Sequence, residues 1–354
     1  MGEERGASLQ EACAYVSDSA CSFNGPSQEV CAYAFDSARS FNDSSQEVCS
    51  YSPDEVCFFN HLTSRFYEEE AASFSATRQA PWSGWQTVVC AVPRLFEEGK
   101  LRLDTACGGG GECVAAASAE SAIASNERTA AASAETTTPF HLLDVGCGNF
   151  RFERFLAERL VSPLHVQAFD NCPALVEEGN TLMRAYQGLE LNFTNLDLAE
   201  ALLTETLGEV LPTSESDLAV CFGVMHHIPN FESRVQLLAS LLCAIKPGGF
   251  VAVSFWQFLN DKKHAKKARE ATARAGELFE LPALHENDFF LGWQHNHEVF
   301  RFCHHTSVEE IRALLAALVC EVEKGSVSPF LEVNCFQADG KNTPLNCYLI
   351  LQRL

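Results

Sequence analysis

The heptapeptide Asp144-Val145-Gly146-Cys147-Gly148-Asn149-Phe150 sets a carboxylate ahead of two glycines spaced by one residue. Glycines let a backbone pass close to a ligand, and an acid opening the loop disfavours a phosphate and suits a cationic or amine-bearing ligand. A dinucleotide-binding loop would need a third glycine at position 151, where the chain has Arg151. Two more acids follow, Asp170 after Val166-Gln167-Ala168-Phe169 and Asp197 after the run LNFTNL. An acid in the place of Asp170 can accept hydrogen bonds from two ribose hydroxyls, and one in the place of Asp197 from an adenine amino group. Each acid alone is more simply explained as a helix N-cap. The ordered triple is much harder to explain that way.

These residues need strand ends to present them. From Pro139 onward short apolar runs at His141–Val145, Leu164–Phe169, Leu189–Thr194, Asp217–Phe222 and Phe250–Phe255 alternate with helical stretches. The helices are expected at Phe152–Leu160, Pro173–Tyr186, Leu198–Leu207 and Phe231–Ile245, the last closed by Pro247-Gly248-Gly249. This alternation predicts an α/β fold, a doubly wound and mainly parallel sheet with helices on both faces and the ligand at the strands' carboxyl ends. A charged helix near Asn260–Glu280, another at Ser307–Leu318 and two β-rich runs, Val319–Glu323 and Leu345–Leu351, complete it.

Outside this block the chain changes character. QEACAY, QEVCAY and QEVCSY open at Gln10, Gln28 and Gln46, a tandem repeat of 18 residues rich in Ser, Asp and Asn and poor in large aliphatics. Such a composition predicts a disordered acidic tail over residues 1–57, the alternative being a partner-binding or cysteine-based redox segment. Residues 58–103 read as a helical segment with aromatics at Phe66, Phe74, Trp82 and Trp85, and 104–138 as a Gly/Ala/Ser-rich linker ahead of the core at 139–354. The 25 basic against 47 acidic residues, net −22, repel phosphate backbones and anionic membranes at long range, so nucleic-acid contact requires a local basic patch. No apolar run approaches membrane-spanning length. Scattered cysteines without a Cys-x-x-Cys and an N-terminus without export features predict reduced thiols in a cytoplasmic protein.

The block His141–Phe258 resembles class I S-adenosylmethionine-dependent methyltransferases of the type-11 kind. LLDVGCGNF, Asp170 and GVMHHIPNFESRVQLLASLLCAIKPGGFVAVSFW carry the likeness; Phe150 departs from it, standing where a G-x-G-x-G loop has glycine. The likeness implies a seven-stranded sheet whose last strand is antiparallel. It also implies S-adenosyl-L-methionine held by Asp144, Gly146, Cys147, Gly148, Asp170, Asn171, Asp197 and Leu198. FYEEEAASFSATRQAPW (Phe66–Trp82) and LGWQHNHEVFRFCHHTSVEEIRALL (Leu291–Leu315) further resemble tRNA wobble-uridine carboxymethyl methyltransferases. That resemblance implies tRNA as a partner, with an accessory protein subunit admitted and a small-molecule acceptor as the alternative; a non-catalytic cofactor-binding scaffold is a third reading.

In-line attack on a sulfonium methyl by a carboxylate needs no general base, because the carboxylate is ionised at neutral pH. Arg78 is the candidate to hold it, with Trp82 as an aromatic wall. His226 and His227, after the fourth strand, are candidates to face the acceptor as donor or base. Lys262, Lys263, Lys266, Lys267, Arg269 and Arg274 form a basic stripe on one helix, a solvated face or a phosphate-binding one, with Lys263 and Lys267 as the chosen contacts. His295, His297, Cys303, His304 and His305 fit no regular zinc spacing, and no metal is expected.

Overall fold

The computed structural model describes residues 50–92, 95, 138–172, 175–294 and 296–354. Most of the repeats, the linker and His295 lie outside the described residues. β1 (Phe140–Val145), β2 (Leu164–Asp170), β3 (Leu189–Asn195), β4 (Ser216–Cys221), β5 (Ile245–Trp256), β8 (Phe330–Ala338) and β9 (Asn346–Arg353) form one sheet of order β3-β2-β1-β4-β5-β9-β8. β1 to β5 are parallel, while β9 runs antiparallel between β5 and β8. The order reverses at β1, so a crevice opens beyond the carboxyl ends of β1 and β4.

Alternating residues of each central strand feed two cores. Leu143, Val145, Ala219, Val251 and Leu349 face α7 (Phe231–Ala244) and α9 (Val308–Glu323) through Leu237, Leu241, Ile311 and Leu314. Phe140, Leu142, Leu218 and Ile350 face the opposite layer, with Trp85 and Val88 of α2 (Ser83–Cys90) and Phe152 and Phe155 of α3 (Arg151–Ala157). Burial on both faces explains why these strands read as continuous apolar runs. α4 (Leu175–Ala185), α5 (Leu198–Leu203) and α6 (Leu207–Val210) complete the connections among β2, β3 and β4.

Three expectations are corrected. Val319–Glu323 is the last turn of α9, because Leu314, Leu318 and Val322 keep a four-residue spacing into one core cluster; the missing strand is β8. The stretch Leu198–Leu207 is two helices, parted where Glu205 takes a positive φ of 58° before the fully buried Leu207. The boundary at 57/58 falls inside α1 (Pro53–Ala76), which starts with Pro53 behind a capping box of Ser52 and Glu55.

α1 packs on an antiparallel hairpin, β6 (Asp288–Trp293) and β7 (Asn296–His304), through Phe59 and Leu62 against Phe290, Phe300 and Phe302. α8 (Lys262–Leu278) covers the same hairpin with Ala271 and Ala275. No helix among the described residues is long and apolar enough to cross a membrane.

Candidate active site

The loop after β1 is tied to β2, with the N–H groups of Gly146 and Cys147 donating to Phe169 O at 2.7 and 3.2 Å. Gly146 has φ 86°, and a Cβ there would strike the side chain of Val224; Gly148 has φ 54° and only open space where its Cβ would be. At Gly146 a side chain is excluded by close approach, and at Gly148 the left-handed backbone favours glycine. Phe150 follows with φ 52°, the left-handed conformation that the resemblance assigns to glycine. Its ring is fully buried against Phe193, with Gly179 leaving the space, so apolar packing offsets the backbone strain.

Asp170 accepts from Gly148 N–H at 2.9 Å and Cys172 N–H at 3.2 Å, one donor on each oxygen. It fixes the glycine loop and retains lone pairs for a ligand. Burial pushes its carboxyl up, against the pull of those N–H donors. Asn171 donates to Ser64 Oγ at 3.2 Å, and Leu198 and Cys147 line the same cavity. Asp197 is the N-cap of α5, taking Glu200 N–H at 3.0 Å, and Asn60 of α1 donates to both its oxygens. Three hydrogen bonds from two donor groups leave this carboxylate little capacity for a further partner.

The cavity holds about 550 Å³ and gathers Asp144, Gly146, Cys147, Gly148, Asp170, Asn171, Asp197, Leu198, Arg78, Trp82, His226 and His227. Lys263 and Lys267 stand exposed on α8 outside it, although their neighbour His264 reaches the lining. The structure therefore brings together every predicted cofactor residue and leaves the two lysines apart from them.

His227 donates from Nδ1 to Phe302 O at 2.7 Å, which leaves Nε2 to accept from Tyr67 Oη at 3.0 Å. Burial, then Arg301, hold its imidazole down at about 3. His226 lies beside it with ring centroids 4.0 Å apart and planes tilted by 49°, and burial, followed by His227 and Arg301, pushes it well below the usual range. Both rings are neutral at physiological pH and weak bases. His226, His227 and Cys303 place metal-capable atoms within 4.8 Å of one another. Both nitrogens of His227 are already engaged, so an ion would have to displace one bond there.

Arg301 on β7 was not singled out by sequence. It is 4% exposed and lines the cavity, with its guanidinium 4.4 Å from the ring centre of Phe66 and 5.4 Å from that of Phe74. Its Nε and Nη1 have no hydrogen-bond partner, and no carboxylate among the described residues pairs with it. Arg78, just past the end of α1, lies over Phe74 at 3.4 Å and against Trp293 at 4.8 Å. Burial, then the charge of Arg301, lower Arg78 to about 10, still cationic at neutral pH. The available signal was a lone charge inside the apolar run Val299–Cys303, all of it buried.

Residues 143–251 match the family model described as a methyltransferase domain. A search of curated proteins returned no match. Among solved structures the chain is similar to a SAM-dependent methyltransferase from Methanosarcina mazei, at 17% identity over 60% of this chain and 92% of that one, TM-score 0.42. It is also similar to the N-methyltransferase NodS from Bradyrhizobium japonicum in complex with S-adenosyl-l-homocysteine, at 11% identity over 60% and 77%, TM-score 0.35. A third is the Burkholderia thailandensis 1,6-didemethyltoxoflavin-N1-methyltransferase, at 14% identity over 61% and 71%, TM-score 0.36. The family match falls on the strands β1 to β5 that build the cavity.

Proposed function

We propose that the protein transfers a methyl group from S-adenosylmethionine to a carboxylate, and that the carboxylate is the carboxymethyl group of a wobble uridine in tRNA. The observation that carries the acceptor class is the pair Arg301 and Arg78, two guanidiniums lining one aromatic-walled cavity, neither ion-paired with a carboxylate among the described residues. An anionic ligand supplies the missing partner. Asp144 Oδ1, buried without a donor, the open face of Gly148 and the free lone pairs of Asp170 fit a donor bearing an ammonium and ribose hydroxyls. When bound, S-adenosylmethionine supplies a methyl group made electrophilic by its sulfonium. Arg301 and Arg78 orient the acceptor, Phe74 and Trp82 exclude water, and the neutral His226 and His227 add no competing charge. No residue has to remove a proton from a carboxylate.

Asp170→Ala removes a buried acceptor and frees the loop at Gly148. Losing a charged hydrogen bond costs about 1.5–3 kcal/mol, so cofactor affinity should fall roughly ten-fold or more. Calorimetry showing equal affinity in variant and parent would remove Asp170 from the site.

The tRNA reading is tested by mass spectrometry of tRNA nucleosides from cells with and without the gene, where loss of a methyl ester at the wobble uridine is expected. In vitro, the double change Lys263→Glu and Lys267→Glu should abolish tRNA binding and leave cofactor affinity intact, because both side chains are exposed on α8. A net charge of −22 favours a second reading, a small anionic acceptor. Absence of tRNA binding even at low salt selects that reading.

A further inference from the structure

Asp144 lines the cavity, and Glu153, on the first turn of α3, lies in the core beside it. Glu153 is 0% exposed and Asp144 3%. Among the described residues no other residue donates to either oxygen of Glu153 or to Oδ1 of Asp144; the Glu153 carboxyl is approached by its own backbone N–H. The two carboxyls are within hydrogen-bonding reach of one another. Ionised carboxylates only accept, so this contact is satisfied when one of them carries a proton and donates. Two buried ions side by side, with no counter-ion in contact, are far costlier than one.

We propose that Asp144 and Glu153 share a single proton in the free protein and lose it when the α-ammonium of S-adenosylmethionine docks on Asp144, which makes Glu153 a positioning residue that sets the charge of the cofactor site. The inference rests on the methyl donor assigned above. The charges balance: the free pair bears one negative charge and one proton, the loaded pair two negative charges facing one ammonium, and the proton goes to solvent. Asp170 at the end of β2 adds a third negative group and opposes ionisation, whereas Arg154 on α3 favours it. Cys147 in the loop and Cys221 on β4 also face the pair, but burial holds both thiols protonated. His226 and His227 are already neutral and have no proton to release.

The sign follows from the direction of the shift. Burial raises both carboxyls, and their contact raises Asp144 further while lowering Glu153, so toward neutral pH the free pair keeps its proton, held on Asp144, and cofactor binding has to expel it. Affinity should climb with pH and level off once the pair ionises unaided. The amino group of the ligand stays charged below roughly pH 7.7, which keeps its own titration out of the window.

Titration calorimetry of the full chain with S-adenosylmethionine at pH 6, in buffers of differing ionisation enthalpy, counts the protons released. The expected value is near one per cofactor, with affinity rising about ten-fold between pH 5.5 and 7. In Glu153→Gln the amide donates to Asp144 and fixes it as the carboxylate, so proton release should vanish and affinity become flat with pH and tighter than the parent at pH 6. Cofactor binding without proton release in the parent overturns this inference alone, as does an unchanged pH profile in Glu153→Gln. No cofactor binding at any pH overturns the assignment of the donor, and this inference with it. The proton count in the parent protein decides the matter even where the variant folds poorly.

Discussion

Arg301→Met should raise the melting temperature while lowering methyl transfer roughly thirty-fold or more. The guanidinium is buried with no carboxylate paired to it among the described residues, and desolvating an ion costs several kcal/mol that a counter-charge would offset. Stacking on Phe66 returns part of it, at about 2 kcal/mol for a desolvated cation over a ring. Methionine fills similar volume, keeps contact with the aromatics and carries no charge, so each kcal/mol regained should appear as a gain of about 2–4 °C. The same deletion leaves a bound carboxylate facing Arg78 alone. Removing one partner of a buried charge pair costs about 2–5 kcal/mol, a factor of roughly thirty to several thousand in kcat/KM. Cofactor affinity should barely change, because no ion pair among the described residues joins Arg301 to Asp144 or Asp170. A lower melting temperature with unchanged transfer would make Arg301 a structural cation and remove the basis for an anionic acceptor.

Product release follows from the same electrostatics. A methyl ester has no charge, so the interaction that recruits the carboxylate to Arg301 and Arg78 is lost at the moment of transfer. Turnover then weakens ligand binding without a conformational device, and the ester should inhibit far less than the acid.

What was legible in the sequence was local. Asp144, Gly146 and Gly148 announce a ligand loop because their spacing within five residues decides the backbone path, and Asp170 follows one strand later. The alternation of β1 to β5 with helices was readable because those strands are buried on both faces. Arg301 and Tyr67 were not, since a hairpin and a helix more than 70 residues from the loop in sequence deliver them to the cavity. The identities of His226 and His227 were readable, their neutrality was not, because it comes from burial and from Arg301. Lys263 and Lys267 show the converse limit: helical spacing places them on one face but says nothing of where that face points. Val319–Glu323 was misread as a strand because five residues rich in valine fit either period until Leu318 and Val322 are seen on one core.

Removing residues 1–57 should unfold the domain, whereas removing 1–49 should leave its melting temperature and cofactor binding nearly unchanged. The eight residues between the two cuts hold the start of α1 in place. Tyr51 is 5% exposed; its hydroxyl donates to Asp288 Oδ2 at 2.6 Å and accepts from His285 N–H at 2.9 Å. Its ring stacks on His285 and meets Phe59 edge-on at 4.8 Å. Asn230 brackets its backbone, accepting from Tyr51 N–H at 2.8 Å and donating to Tyr51 O at 3.1 Å. Deleting a buried aromatic costs about 3–5 kcal/mol and losing an N-cap about 1 kcal/mol. Together these approach the whole stability of an ordinary domain, about 5–15 kcal/mol, and they strand the buried carboxylate of Asp288 without its hydroxyl donor. The repeats before Ser50 contain few large aliphatics with which to make comparable contacts. Function should fail with structure, because α1 also carries Tyr67 and leads into Arg78. Thermal melts of the two truncations decide between the cuts: a shorter chain that melts like the parent would mean that Tyr51 and the Ser52 cap contribute nothing, and a destabilised 1–49 deletion would mean that the repeats pack on the domain.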